Sequence, residues 1–173
     1  MKKAIKLLIG IAMMIIIISL GGNYLAKKQI SSEVYHDKTQ QMIRELPKVS
    51  LKKLSEKQQG LYYFGFPTCS WCLALLPIFD ERLERLNAKS LVVNTRAEEY
   101  TNQDDMLLET FFNKYTAEKR LTVPFVVAIN SKDDVKTHIG TVDGHDATKE
   151  KMSKEQVKTL STILDNLIDF SSK

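Results

Sequence analysis

Apolar positions along this chain fall into two regimes. From Leu7 to Leu25 they run together with no charged residue between them. From about residue 50 onward they recur at the periods of short helices and strands. Leu61 to Phe66 is an aromatic-rich run bounded by Gly60 and by Pro67-Thr68, which predicts a strand. Leu75, Phe79, Leu83 and Leu86 are spaced as one face of a helix, and Leu91-Val92-Val93 predicts a short buried strand. Leu107, Phe111 and Tyr115 predict a second amphipathic helix behind the cap-type residues Asn102 and Asp104. Pro124 to Ile129 predicts a central strand entered by proline, and Asn130 to Asp134 is turn chemistry. Val135 and Ile139 alternate with Lys136 and His138, as in a half-exposed strand. Ser153-Lys154-Glu155-Gln156 is a capping box opening a last helix whose apolar face is Val157, Leu160, Leu164 and Leu167. Upstream, Pro47 ends a polar stretch and Ser50 can cap a short helix over Leu51 to Lys57; a strand near Pro47 to Ser50 is the weaker alternative. The order predicts an α/β sandwich around a mainly parallel sheet, with the last hairpin adding an antiparallel edge.

The first regime has another meaning. Lys2, Lys3 and Lys6 precede the uncharged run and Lys27 and Lys28 follow it. A bilayer-spanning helix needs about 20 mainly apolar residues, and this run is just long enough. A cleavable signal peptide is the competing reading, with Ser19, Gly21 and Gly22 near a cut. The length of the run and the lack of an A-x-A site favour an uncleaved anchor with its N-terminus inside. The expected organisation is an anchor or signal segment over residues 1–28, a polar tether over 29–46 that is helical in part from Val34 to Ile43, and a folded domain over 47–173. The expected location is the cell membrane, single-pass, with the C-terminal domain outside the cytoplasm, or secretion if the segment is cleaved.

Charge narrows the class of partner. The net charge is +4, and without the five lysines flanking the apolar run 20 basic residues face 21 acidic ones. The exported part is near neutral and offers no basic patch for nucleic acid. Its chemistry lies in Cys69-Ser70-Trp71-Cys72, which holds the chain's two cysteines. Thiols at i and i+3 on the first turn of a helix share a face and can close a small ring. The first sits where helix N–H groups are unpaired and the macrodipole is positive, a setting that favours the reactive thiolate. A disulfide persists outside the cytoplasm.

Phe64-Gly65-Phe66-Pro67-Thr68-Cys69-Ser70-Trp71-Cys72, then Pro77, then Val123-Pro124 resemble in order the active-site strand and turn, the helix proline and the cis-proline of the thioredoxin superfamily. The resemblance spans roughly Ser50 to Phe170. It implies a thioredoxin-like three-layer sandwich with a central mixed sheet, preceded here by the N-terminal transmembrane helix. It implies Cys69 as an exposed nucleophile, Cys72 as the resolving thiol, and Trp71, Val123 and Pro124 as the substrate-binding rim. Ser70, Pro67 and Pro77 would tune the thiolate. No cofactor beyond a redox-active Cys69–Cys72 disulfide is implied. The phrase Tyr63 to Cys69, with the membrane segment, is most similar to bacteriocin-transport accessory proteins of Gram-positive bacteria, whose implied role is forming or correcting disulfides in exported peptides. The chain departs from the superfamily at Tyr63, where thioredoxins carry a buried acid, because a phenol with a pKa near 10 is a poor proton carrier near neutrality. The Ser70-Trp71 pair also differs and leaves the redox direction open, with oxidase or isomerase ahead of reductase.

The expected activity is therefore thiol–disulfide exchange with exported peptides or proteins, with a redox partner protein recharging the cysteines. The alternative is a non-catalytic binding module using the groove beside Trp71 and Pro124. A zinc site is disfavoured: two cysteines need two further ligands, and His138 and His145 are seven apart. Leu73 after Cys72 excludes c-type haem attachment. His36, His138 and His145 are expected to be plain surface residues, and Glu98-Glu99, Asp104-Asp105 and Asp133-Asp134 solvated carboxylates.

Overall fold

A computed structural model describes residues 35–173. The anchor or signal segment, and the part of the tether before Tyr35, lie outside the described residues. The elements run β1 (Met42–Arg44), α1 (Pro47–Ser55), β2 (Gly60–Gly65), α2 (Ser70–Arg85), β3 (Ser90–Asn94), α3 (Asn102–Tyr115), β4 (Phe125–Ile129), β5 (Val135–Ile139) and α4 (Lys154–Ser171). Among the described residues no helix is long and apolar enough to cross a membrane.

The strands form one five-stranded sheet in the order β1–β3–β2–β4–β5. β3 pairs parallel with both β1 and β2, whereas β2–β4 and β4–β5 are antiparallel. The sheet is thus evenly mixed, not mainly parallel with one antiparallel edge. A continuous apolar run such as Phe125 to Ile129 is buried on both faces whichever way it points, so its pattern is silent on direction.

Strand alternation sorts the core into two halves. Leu61 and Tyr63 of β2, with Val126 and Ala128 of β4, pack against Leu75, Leu76, Phe79 and Leu83 of α2 and Leu160, Leu164 and Leu167 of α4. Tyr62 and Phe64, with Phe125, Val127 and Ile129, pack against Leu51 and Leu54 of α1 and Leu108, Phe111 and Phe112 of α3. The result is a helical layer on each face of the sheet. Arg82 of α2 ties the first layer together: its Nε and Nη2 donate to the two carboxylate oxygens of Asp165 on α4 at 2.7 and 2.6 Å.

Several local expectations are corrected. β1 falls inside the stretch read as tether, and residues 35–41 carry no helix. Its three residues pair with Ser90 to Val92, a non-local partner that a three-residue pattern cannot announce. Pro47 opens a helix rather than ending a segment, since a proline at the first helical position loses no hydrogen bond and has its φ already set. Thr101 caps α3 with Asp104 as its reciprocal partner, which buries the Asp104 carboxylate. The apolar face of α3 is Leu108, Phe111 and Phe112, while Leu107 is 41% exposed. Leu86 lies past the end of α2 and is exposed. The Ser153–Gln156 capping box forms as expected.

Candidate active site at the start of helix α2

β2 ends at Gly65, and Phe66, Pro67 and Thr68 turn the chain into α2. Cys69 is the N-cap of that helix. Its sulfur accepts a hydrogen bond from the Cys72 N–H at 3.2 Å, so one of the orphan donors of the first turn is satisfied by sulfur. The cysteines are free thiols, and their side chains hydrogen-bond to each other. The Cys72 thiol, the Cys72 and Trp71 N–H groups and the positive charge of Arg96 together outweigh burial and bring the Cys69 thiol down to about 7. Cys72 moves the opposite way. It donates to Cys69 and is fully buried, and both effects push its thiol well above the ordinary range. One thiol is poised to ionise at neutral pH while the other holds its proton.

Cys69 is only 7% exposed, a correction to the expected exposed nucleophile. The turn that makes it a cap also folds Phe66 and Trp71 around it. Access comes through an open groove of about 530 Å³ lined by Phe66, Thr68, Cys69, Ser70, Trp71, Arg96, Thr122, Val123 and Gly140. The Val123–Pro124 peptide is cis, and the Val123 carbonyl oxygen lies 3.9 Å from the Cys69 sulfur. Trp71 is half-buried and borders a second depression of about 590 Å³, whose walls include His138, Thr141, Asp143 and Glu155. Pro67 and Pro77 are exposed, and Pro77 sits inside α2, which continues to Arg85. The groove thus brings together Cys69, Ser70, Trp71 and Val123. Cys72 lies beneath it, Pro124 is buried behind Val123, and Pro67 and Pro77 do not line it.

Arg96, Thr122 and Gly140 were not singled out from the sequence. They come from the loops after β3, before β4 and after β5, which meet where β2 ends. The Arg96 guanidinium stacks 3.6 Å over the Phe66 ring, which parks its charge beside Cys69. A useful signal would have been topological: in a sheet with parallel strands, the loop following the strand next to the motif opens onto the same end.

Tyr63 stands in the core directly under the cysteines. Tyr63 and Gly65 point to the α2 face of β2, and a Cβ on Gly65 would lie 2.8 Å from Cζ of Tyr63 and 2.9 Å from Sγ of Cys72. Gly65 is therefore the space in which the phenol and the second sulfur meet. Burial first, then the charges of Tyr35 and Cys72, raise the Tyr63 hydroxyl well above the ordinary phenol value.

Of the histidines, His145 is buried rather than superficial: Nδ1 accepts from the Thr141 hydroxyl at 2.7 Å and Nε2 donates to the Glu150 carbonyl at 3.1 Å. His138 is half-buried and donates from Nε2 to the Thr141 carbonyl at 2.8 Å, and burial lowers its pKa. His36 is exposed. Among the described residues no group of three or more His, Cys, Asp or Glu side chains is placed to hold a metal ion. The chain matches no protein-family model, and no curated protein matches it.

Proposed function

We propose that this chain is a thiol–disulfide oxidoreductase with a thioredoxin-like fold, held at the outer side of the cytoplasmic membrane by its N-terminal segment. The observation that carries the reading is the Cys69 sulfur itself. It caps α2, is stabilised as thiolate near pH 7, borders an open groove, and has a second thiol within hydrogen-bonding reach. The Cys69 thiolate attacks a substrate disulfide, or its oxidised form is attacked by a substrate thiolate. Both routes give a mixed disulfide at Cys69: in the first, Cys72 attacks Cys69 and releases the reduced substrate; in the second, another substrate thiolate attacks the substrate's own sulfur and releases Cys69 and Cys72 reduced. Phe66, Trp71 and the Val123 carbonyl border the sulfur, so an extended segment of an exported peptide would lie between them. The extracytoplasmic setting and the likeness of the Tyr63 to Cys69 phrase support an oxidant or isomerase ahead of a reductant. The similarity of the Tyr63 to Cys69 phrase to bacteriocin-transport accessory proteins supports small exported peptides as substrates.

The test is a trapping experiment with full-length Cys72→Ser. It accumulates mixed disulfides with exported proteins, and a further Cys69→Ser change abolishes them. If Cys72→Ser traps nothing, the enzymatic reading fails and the groove is that of a binding module. The Cys69–Cys72 potential against glutathione assigns direction: a value near −270 mV, about that of thioredoxin, argues against an oxidase.

A further inference from the structure

Two buried hydroxyl groups lie next to the second sulfur with no partner of ordinary hydrogen-bond geometry. Tyr63 is 0% exposed and its Oη is unpaired, as is the buried Oη of Tyr35. The two phenols face each other, and Tyr63 also faces Cys72. Strand alternation places Tyr63 and Gly65 on the face under α2, and the missing Cβ of Gly65 leaves room for the Tyr63 ring and the Cys72 sulfur in one small space. A polar group kept in a dry core without a partner is costly. The arrangement makes sense if the partner arrives during turnover.

We propose that Tyr63 donates a hydrogen bond to the Cys72 sulfur while that sulfur carries negative charge, and that Tyr35 orients the Tyr63 hydroxyl. This rests on the thiol–disulfide reading of the site and adds a group to its second step. In that step Cys69 is joined to the partner's sulfur. Cys72 releases its proton to water, and its electron pair attacks the Cys69 sulfur. The Cys69–Cys72 bond forms and the bond from Cys69 to the partner breaks. The electron pair leaves on the partner's thiolate, which takes a proton from water. Cys69 and Cys72 end oxidised and the partner reduced, with protons in balance.

Charge on Cys72 is the obstacle, because the bond to Cys69 and burial both hold its proton. Once Cys69 is in a mixed disulfide, its thiolate no longer accepts from Cys72. Tyr63 and the Phe66 backbone remain as the groups favouring the Cys72 anion. Burial keeps Tyr63 protonated, so it acts as a donor and not as a base. Tyr35 acts through its neighbour Tyr63 and is a positioning residue.

The experiment follows both steps in the full chain with an aromatic disulfide, dithiobisnitrobenzoate. The first thiolate released reports attack by Cys69, and the second reports resolution by Cys72. Tyr63→Phe keeps the packed ring and removes an unpaired hydroxyl, so its melting temperature holds or rises. Its first phase stays within about twofold of wild type, and its second slows about tenfold or more, the loss expected for a hydrogen bond to a charged group. Tyr35→Phe slows the second phase by less and leaves the first alone. A second phase in Tyr63→Phe within about twofold of wild type overturns the inference by itself. A wild-type chain that releases a single thiolate overturns the oxidoreductase reading, and this inference with it.

Discussion

Replacing Cys72 with alanine should make Cys69 a more ordinary thiol. The largest influence lowering Cys69 is the hydrogen bond from the Cys72 side chain; the Cys72 and Trp71 N–H groups and Arg96 follow. A hydrogen bond to a charged acceptor contributes about 1.5–3 kcal/mol, and a thiol is a weak donor, so the low end applies. At about 1.4 kcal/mol per unit, the midpoint should rise from about 7 to about 8. It stays below the unperturbed thiol value of about 8.5 because the backbone donors and Arg96 remain. Backbone capping is unaffected, since alanine keeps the N–H that the Cys69 sulfur accepts from. The assay is the pH dependence of iodoacetamide alkylation at Cys69, read by mass spectrometry in reduced wild type and Cys72→Ala. Identical midpoints in the two chains would show that the second thiol does not stabilise the first. A wild-type midpoint at 8.5 or above would refute the whole account of the helix-capping thiolate.

Two further outcomes follow from the same structure. Reduced protein should gain stability as pH rises from about 7 to about 8.5, because the unfolded chain then holds both thiol protons while the native one has lost that of Cys69; above about 8.5 stability should fall, because the unfolded chain loses both protons and native Cys72 keeps its own. Denaturant titrations of reduced and oxidised protein at several pH values check this, and an identical pH profile for both forms contradicts it. Asp165→Ala should cost about 1–3 kcal/mol in the same titrations, less than the loss for a fully buried pair because Asp165 is 31% exposed; it leaves the guanidinium of Arg82 buried without its bidentate partner, and an unchanged midpoint would mean that α2 and α4 do not depend on this bridge.

Much of the architecture could be read along the chain because periodicity is local. β2, α2, β3, β4, β5 and α4 each lie where alternation or 3.6-residue spacing places them, and the Ser153 capping box marks the start of α4 to the residue. Cys69 and Cys72 were legible for the same reason, since a pair three apart at a strand–helix junction defines its own geometry. β1 was not legible, because three residues with a burial pattern of buried, half-buried and exposed gain their meaning from pairing with β3. The α3 face slipped by one residue, from Leu107 to Leu108, because neighbouring leucines satisfy nearly the same helical spacing and only contact with Val127 and Phe125 chooses between them.

The order of residues alone thus settled most of the helices and strands, β1 apart, and which two sulfurs stand together, because both are short-range consequences of side-chain spacing and cap chemistry. Folding settled the rest: the antiparallel setting of β4, the near-burial of Cys69, the guanidinium of Arg96 beside it, and the unpaired hydroxyls of Tyr35 and Tyr63 near Cys72. Those depend on which surfaces meet when distant parts of the chain pack, and burial, dielectric and charge neighbours are properties of that meeting, not of any one segment.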